Sequence, residues 1–189
     1  VGTNHAQPAH GHLARDITVN AKLRRTGICG AAETLLVDAA LAPETVRSVF
    51  DALFAADCAL RGCERSRALD ARITPATEAD WRTEYLDRII AVRVIDDLDA
   101  AVAHISEFGS GHTESIISGD AIAAQRFFDD VDSAIVMHNA STQFADGGEF
   151  GMGAEIGIST SRIHARGPVG AAELVSYKYV VRGSGQTRL

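Results

Sequence analysis

Residues 88–118, RIIAVRVIDDLDAAVAHISEFGSGHTESIIS, decide the fold. Ile89–Ile95 is an apolar, β-branched run of strand length, the composition of a strand covered on both faces. Asp96–Asp99 caps a helix over Leu98–Phe108, and Gly109 ends it. A second strand is expected at Glu114–Ser118. Downstream, Asp120–Val131 reads as a helix and Ala134–His138 as a strand. Upstream, Thr34–Val37 is a short buried strand. A helix from Pro43 to Asp57 follows, with Val46, Val49, Phe50, Leu53 and Phe54 on one face, and then a strand at Ala59–Cys63. Leu13–Arg25 reads as an amphipathic helix, and Glu64–Asp80 as polar and irregular. This β-α-β-α-β rhythm predicts an α/β fold, a parallel sheet covered by helices. Residues 140–170 are rich in Gly, Ser and Thr, the texture of loops lining a site. Glu173–Arg182 alternates toward β and predicts an edge strand seeking a partner.

Bulk properties exclude several classes. The chain has 189 residues, 46% hydrophobic and 23% charged, the balance of a globular protein with a sizeable core. A net charge of -7 argues against a nucleic-acid surface. No apolar run approaches the roughly 20 residues of a membrane span, so no membrane partner is expected. Val1–His12 is polar, unlike a signal peptide. An odd count of three cysteines fits a reducing, cytoplasmic setting better than a disulfide scaffold.

RTGICGAAETLLVD, residues 25–38, carries the strongest chemical signal. Cys29 lies between Gly27 and Gly30, which can take positive φ and turn the chain sharply. Ala31-Ala32-Glu33 can open a helical turn. A thiol at a helix N-terminus beside Arg24 and Arg25 would sit in positive potential and favour the thiolate, the nucleophile of acyl chemistry. A buried structural cysteine is the alternative for a lone thiol.

Other residues offer candidate roles beside plain structural ones. His112, in a polar loop after a helix, is either a proton carrier or a hydrogen-bonded structural histidine. His164 and Arg166 form a compact basic loop suited to phosphate or carboxylate, or simply a loop anchor. Asn139, Ser141 and Thr142 make a polar turn after a buried strand, a common address for ligand-binding groups. Gly147, Gly148, Gly151 and Gly153 lack the strand–helix setting of a dinucleotide fingerprint and better serve close backbone approach to substrate. Cys58 and Cys63 have no second ligand pair, so no metal site is expected.

Four blocks together resemble the gamma-glutamyl phosphate reductase (glutamate-5-semialdehyde dehydrogenase) family of the aldehyde dehydrogenase superfamily. They are VNAKLRRTGICGAAETLLVD (19–38), DWRTEYLDRIIAVRVIDDLDAAVAHI (80–105), FGSGHTESI (108–116) and VDSAIVMHNASTQFADGGEFGMGAEIGISTSRIHARGPVG (131–170), with a similar tail, LVSYKYVVRGSGQ. The resemblance implies a three-layer α/β/α catalytic domain of the aldehyde dehydrogenase type. It places a leader unlike the family at 1–17, the catalytic domain at 18–170 and a C-terminal segment with an oligomerisation strand at 171–189. The Rossmann domain that family members carry ahead of the cysteine is expected to be missing. The implied reaction is the NADPH-dependent reduction of L-glutamyl 5-phosphate to L-glutamate 5-semialdehyde and phosphate, in proline biosynthesis, through a Cys29 thioester.

Further roles follow from the same resemblance. Glu84 matches the glutamate that accepts hydrogen bonds from the ribose of the NADP(H) nicotinamide; a surface glutamate is its plain alternative. The family usually carries an arginine where this chain has Gln143, and losing a grip on the anionic substrate there would cost roughly 1.5–3 kcal/mol. Implied partners are the small-molecule substrate, glutamate 5-kinase and further copies of the chain in a homo-oligomer. Two other readings stay open: a remnant that folds or oligomerises without turnover, and a thiol hydrolase that cleaves acyl phosphates or esters at Cys29 with no redox step.

Overall fold

The structure, a computed structural model, describes residues 8–188. Its elements run α1 (Pro8–Leu23), β1 (Thr34–Asp38), α2 (Pro43–Ala55), β2 (Ala59–Gly62), α3 (Glu64–Leu69), β3 (Thr74–Pro75), β4 (Ile89–Ile95), α4 (Leu98–Phe108), β5 (Thr113–Ile116), α5 (Ala121–Asp130), β6 (Ile135–His138), β7 (Gly157–Ser159) and β8 (Gly167–Val169). Short 3-10 turns lie at Glu78–Arg82, Thr142–Phe144 and Ala172–Leu174.

The main sheet is parallel, in the order β1-β4-β2-β3, with Thr34 opposite Ala91 and Ala59 opposite Ile89. Side chains alternate across β1, and this alternation makes the layers. Leu35 and Val37 join Val46, Val49, Phe50 and Leu53 of α2, with Leu60, Ile90 and Val92, in one core. Leu36 points the other way, packing with Ile95, Leu98, Ala101 and Ile105 of α4, Ile116 of β5, and Ala124 and Phe127 of α5. Each buried Val, Leu, Ile or Phe among them stabilises by about 1.5–3 kcal/mol. The result is a helix–sheet–helix sandwich. A parallel β5–β6 pair continues it, and an antiparallel β7–β8 ribbon projects beyond.

The expected strands and helices around the core form, with α4 as expected: the Asp97 side chain accepts from Ala100 N–H and Gly109 N–H closes on Ile105 O. Three readings are corrected. First, α1 begins at Pro8 rather than Leu13, so it runs through the expected leader boundary at 17; Ala14 packs on the core, so no structural break falls there. Residues 1–7 of that leader lie outside the described residues.

Second, the polar stretch 64–80 is ordered by side-chain bonds rather than apolar periodicity. Ser66 Oγ donates toward Cys63 O and Val92 O, and Thr77 and Asp80 form a reciprocal capping box. Third, β5 lies at Thr113–Ile116, because Ser118 beyond it is taken up by the Asn139 amide. Residues 175–188, where a strand seeking a partner is expected, join no ladder among the described residues of this chain. No helix among the described residues is long and apolar enough to cross a membrane.

Candidate active site

A cavity of about 600 Å³ opens between the β1–β4 end of the sheet and the loops before β5 and after β6, a size typical of small-molecule sites. Cys29, Glu84, His112 and Thr142 line it together, with Glu33, Glu114 and Trp81.

Cys29 is exposed and reached through a turn, with Ala31 N–H donating to Ile28 O before the chain enters β1. It therefore follows the C-terminal end of α1, the negative end of a helix dipole, and no helix begins after it. Burial raises the Cys29 thiol above its ordinary value, the carboxylates of Glu155 and Glu84 add to the rise, and only the backbone N–H groups of Cys29 and Gly30 pull it down. The shift runs against the resting thiolate expected beside Arg24 and Arg25: burial leads it, and the leading charges on this sulfur, Glu155 and Glu84, are negative. Neither Gly27 nor Gly30 has positive φ. Gly30 is needed for close approach instead, since a Cβ there would stand 2.9 Å from Thr142 O.

His112 is half-buried. Its Nδ1 lies 2.7 Å from Thr113 Oγ1, and its Nε2 is buried without a protein partner. Burial lowers its pKa while Glu155 and Glu84 oppose that, so the ring is neutral at neutral pH. Thr142 Oγ1 and Glu33 Oε1 are likewise buried and unpartnered. Glu33 Oε2 accepts from the fully buried Lys22 at 2.6 Å.

The remaining expected substrate contacts are turned elsewhere. Asn139, at φ 52°, accepts from Ser118 N–H and donates to Ser118 O. Ser141 Oγ caps the turn by accepting from Gln143 N–H. His164 Nε2 sits 2.8 Å from Glu173 O, and Arg166 pairs with Asp132 at 2.7 Å. These four side chains hold loops together and are not among the residues lining this cavity. Gln143 also points away from the cavity, toward backbone carbonyls of α1 and the loop after it.

One residue was missed. Glu155 acts on both Cys29 and His112, and its Oε2 accepts from Gly147 N–H at 2.6 Å, which holds the glycine-rich loop. Nothing in the pattern GMGAEIG marks that acid, because its effect depends on how the loop folds back.

For a nicotinamide cofactor, the exposed Glu84 carboxylate on the cavity wall has the acceptor chemistry a ribose diol needs. Helices α4 and α5 close their N-termini with Asp97 and Asp120, which leaves those two ends unsuited to a phosphate. Among the described residues, no cluster of three metal-ligating side chains is present.

The chain is 63% identical over 176 residues to the gamma-glutamyl phosphate reductase of Methylobacterium sp. (strain 4-46), covering 93% of this chain and 41% of that protein. Its structure matches the crystal structure of gamma-glutamyl phosphate reductase from Thermotoga maritima with a TM-score of 0.93 at 45% identity, over 99% of this chain and 45% of the other. An acetylating aldehyde dehydrogenase from Geobacillus thermoglucosidasius shares the fold, with a TM-score of 0.65 at 13% identity over 98% of this chain and 51% of the other. The chain thus spans about two fifths of the length of the curated relatives it matches. No protein-family model matches it.

Proposed function

We propose, for a chain that belongs to the gamma-glutamyl phosphate reductase family, that it supplies the nucleophile and substrate wall for NADPH-dependent reduction of L-glutamyl 5-phosphate to L-glutamate 5-semialdehyde and phosphate. The observation that carries this reading is the gathering of Cys29, His112, Glu84 and Thr142 on one cavity. Residues 18–170 would form the catalytic unit, with α1 extending it.

The chemistry starts from a thiol that is largely protonated at rest, so its proton must leave as it attacks. The His112 ring, whose residue lines the cavity and whose buried Nε2 has no protein partner, is the group suited to take it. The sulfur then attacks the acyl carbon, the carbon–oxygen bond to phosphate breaks, and phosphate departs with the electron pair. A thioester on Cys29 remains, so that one hard step is divided into two. The Cys29 backbone N–H and the Thr142 hydroxyl are donors available to the carbonyl oxygen as charge builds on it. Glu84 would accept from the ribose hydroxyls of NADPH, whose bound nicotinamide would supply hydride to the thioester carbon. Collapse of the resulting tetrahedral carbon breaks the carbon–sulfur bond and returns the proton to sulfur.

Incubation of the chain with an acyl phosphate, followed by peptide mass spectrometry, tests this. The expected result is one acyl group on Cys29 with matching phosphate release, both lost in Cys29→Ser. Phosphate release with no adduct at Cys29, or release that survives the substitution, overturns it.

A further inference from the structure

The loop that carries Cys29 is fastened at one end on Ala21 O and at the other on the Gln143 amide nitrogen, which shares that carbonyl. Ala21 O, in the last turn of α1, accepts from Ala32 N–H at 3.0 Å and from Gln143 Nε2 at 2.9 Å. The same Nε2 donates its second proton to Arg25 O at 3.0 Å. Residues 25 and 32, where the loop leaves α1 and where it approaches β1, are thereby drawn to a single point. Gln143 is only 5% exposed, and its own backbone N–H is held by Ser141 Oγ at 3.2 Å. Its neighbour Thr142 presses a carbonyl against Gly30. An amide nitrogen with both protons committed to two carbonyls is a directional clamp, because neither bond survives a rotation of the side chain.

We propose that Gln143 is a positioning residue for Cys29, its side-chain amide closing the loop of residues 26–31 so that the thiol stays on the cavity wall. The consequence for turnover rests on Cys29 being the nucleophile; the clamp itself does not. A filler of the same shape would stabilise the fold without governing where the sulfur sits. A clamp controls the sulfur's surroundings, which are the buried wall and the two carboxylates facing it, Glu155 and Glu84, with His112 on the same wall.

The test uses the whole chain with Gln143→Met, which keeps the volume and removes the donor, and Gln143→Ala. Two readouts are compared with wild type. Deuterium uptake across residues 26–32 is expected to rise about ten-fold, as loss of a buried hydrogen-bond pair frees the loop. Site-resolved alkylation by iodoacetamide as a function of pH is expected to place the Cys29 midpoint lower in the variants, moving toward the ordinary value of about 8.5 as the sulfur leaves the cavity wall and the carboxylates of Glu155 and Glu84. Cys58 and Cys63 serve as internal references and keep their profiles. An unchanged Cys29 profile and uptake, or a parallel shift of all three cysteines, overturns the clamp. Failure of the nucleophile reading looks different: the Cys29 profile shifts as expected, yet acyl phosphate leaves no adduct on wild type.

Discussion

Two regions of this molecule treat buried polar groups in opposite ways. At the β3–β4 side of the sheet, Asp80 is 4% exposed and accepts from Tyr85 Oη at 2.6 Å, Thr77 N–H at 2.7 Å, Thr77 Oγ1 at 2.8 Å and Arg61 Nη1 at 2.9 Å. On the cavity wall, Glu33 Oε1, His112 Nε2 and Thr142 Oγ1 are buried with no protein partner. An unpaired buried polar group costs about 1–3 kcal/mol, so the wall is maintained at the expense of stability while the Asp80 cluster supplies it. Gln143 Oε1, away from the cavity, is buried and unpartnered as well, so unmet capacity by itself does not mark a binding wall; the gathering of three such atoms on one cavity sets this wall apart from the Asp80 cluster.

The largest effect is expected from breaking the satisfied side. Asp80→Ala strands the Tyr85 hydroxyl and two Thr77 donors, and should lower unfolding free energy by about 3 kcal/mol in urea titration. Burial works against ionisation of Asp80, but its hydrogen bonds outweigh that and hold the carboxyl well below the usual range. The sign follows. Its contribution is complete above the ordinary carboxylate pKa of about 3.9 and is lost as pH falls through the depressed native value. Asp80→Asn should therefore flatten the acid limb of the stability curve, and an unchanged limb would contradict the assignment.

A second pair lines the cavity with opposite slopes. His104, 7% exposed, is pushed down to about 4 by burial, with the Arg93 guanidinium adding to the shift. Its stability contribution is present above about 6.5 and falls with pH below that, by up to about 3 kcal/mol. Glu114 is pushed up to about 7 by burial, so its contribution is complete below about 4.5 and is lost as pH rises through 7, by up to about 3 kcal/mol. His104→Phe should remove the first dependence and Glu114→Gln the second. Thermal melts from pH 4 to 8 on both variants would separate them, and slopes of the same sign would refute the pairing.

Much of this scaffold was legible in the sequence, and the reasons are local. Asp97 and Gly109 bracket α4, and the alternation in TLLVD, residues 34–38, splits side chains between two cores. The family was legible too, in long ordered blocks. The site was read unevenly. Cys29, Glu84, His112 and Thr142 meet on one cavity, but the sulfur's setting is not legible from its neighbours Arg24 and Arg25, because burial and then the distant Glu155 lead its shift. Asn139 and Arg166 look like ligand groups in a string of letters; only folding shows that Ser118 and Asp132 already occupy them. Gln143 reads as a lost charge, whereas its partners lie 118 and 122 residues away in sequence. Thr77 and Asp80 did carry a visible signal, a capping-box spacing inside a stretch that looked merely polar.

The smallest expected change bears most directly on the contrast between the two regions. Thr142→Val keeps the shape of a buried side chain whose hydroxyl has no partner, so the fold loses no bond and sheds a desolvation cost. Stability should stay level or rise by about 0.5 kcal/mol, against the loss from Asp80→Ala. The same substitution removes a donor from the cavity wall, so acylation of Cys29 by an acyl phosphate should slow about ten-fold, the kinetic worth of one hydrogen bond made as charge develops. The two measurements must move apart for the distinction to stand. If Thr142→Val destabilised the chain as a satisfied hydroxyl would, the cavity wall would be scaffold like the Asp80 cluster. If stability held and acylation held with it, the open hydroxyl would have no part in the chemistry, and His112 would be left to answer for the wall.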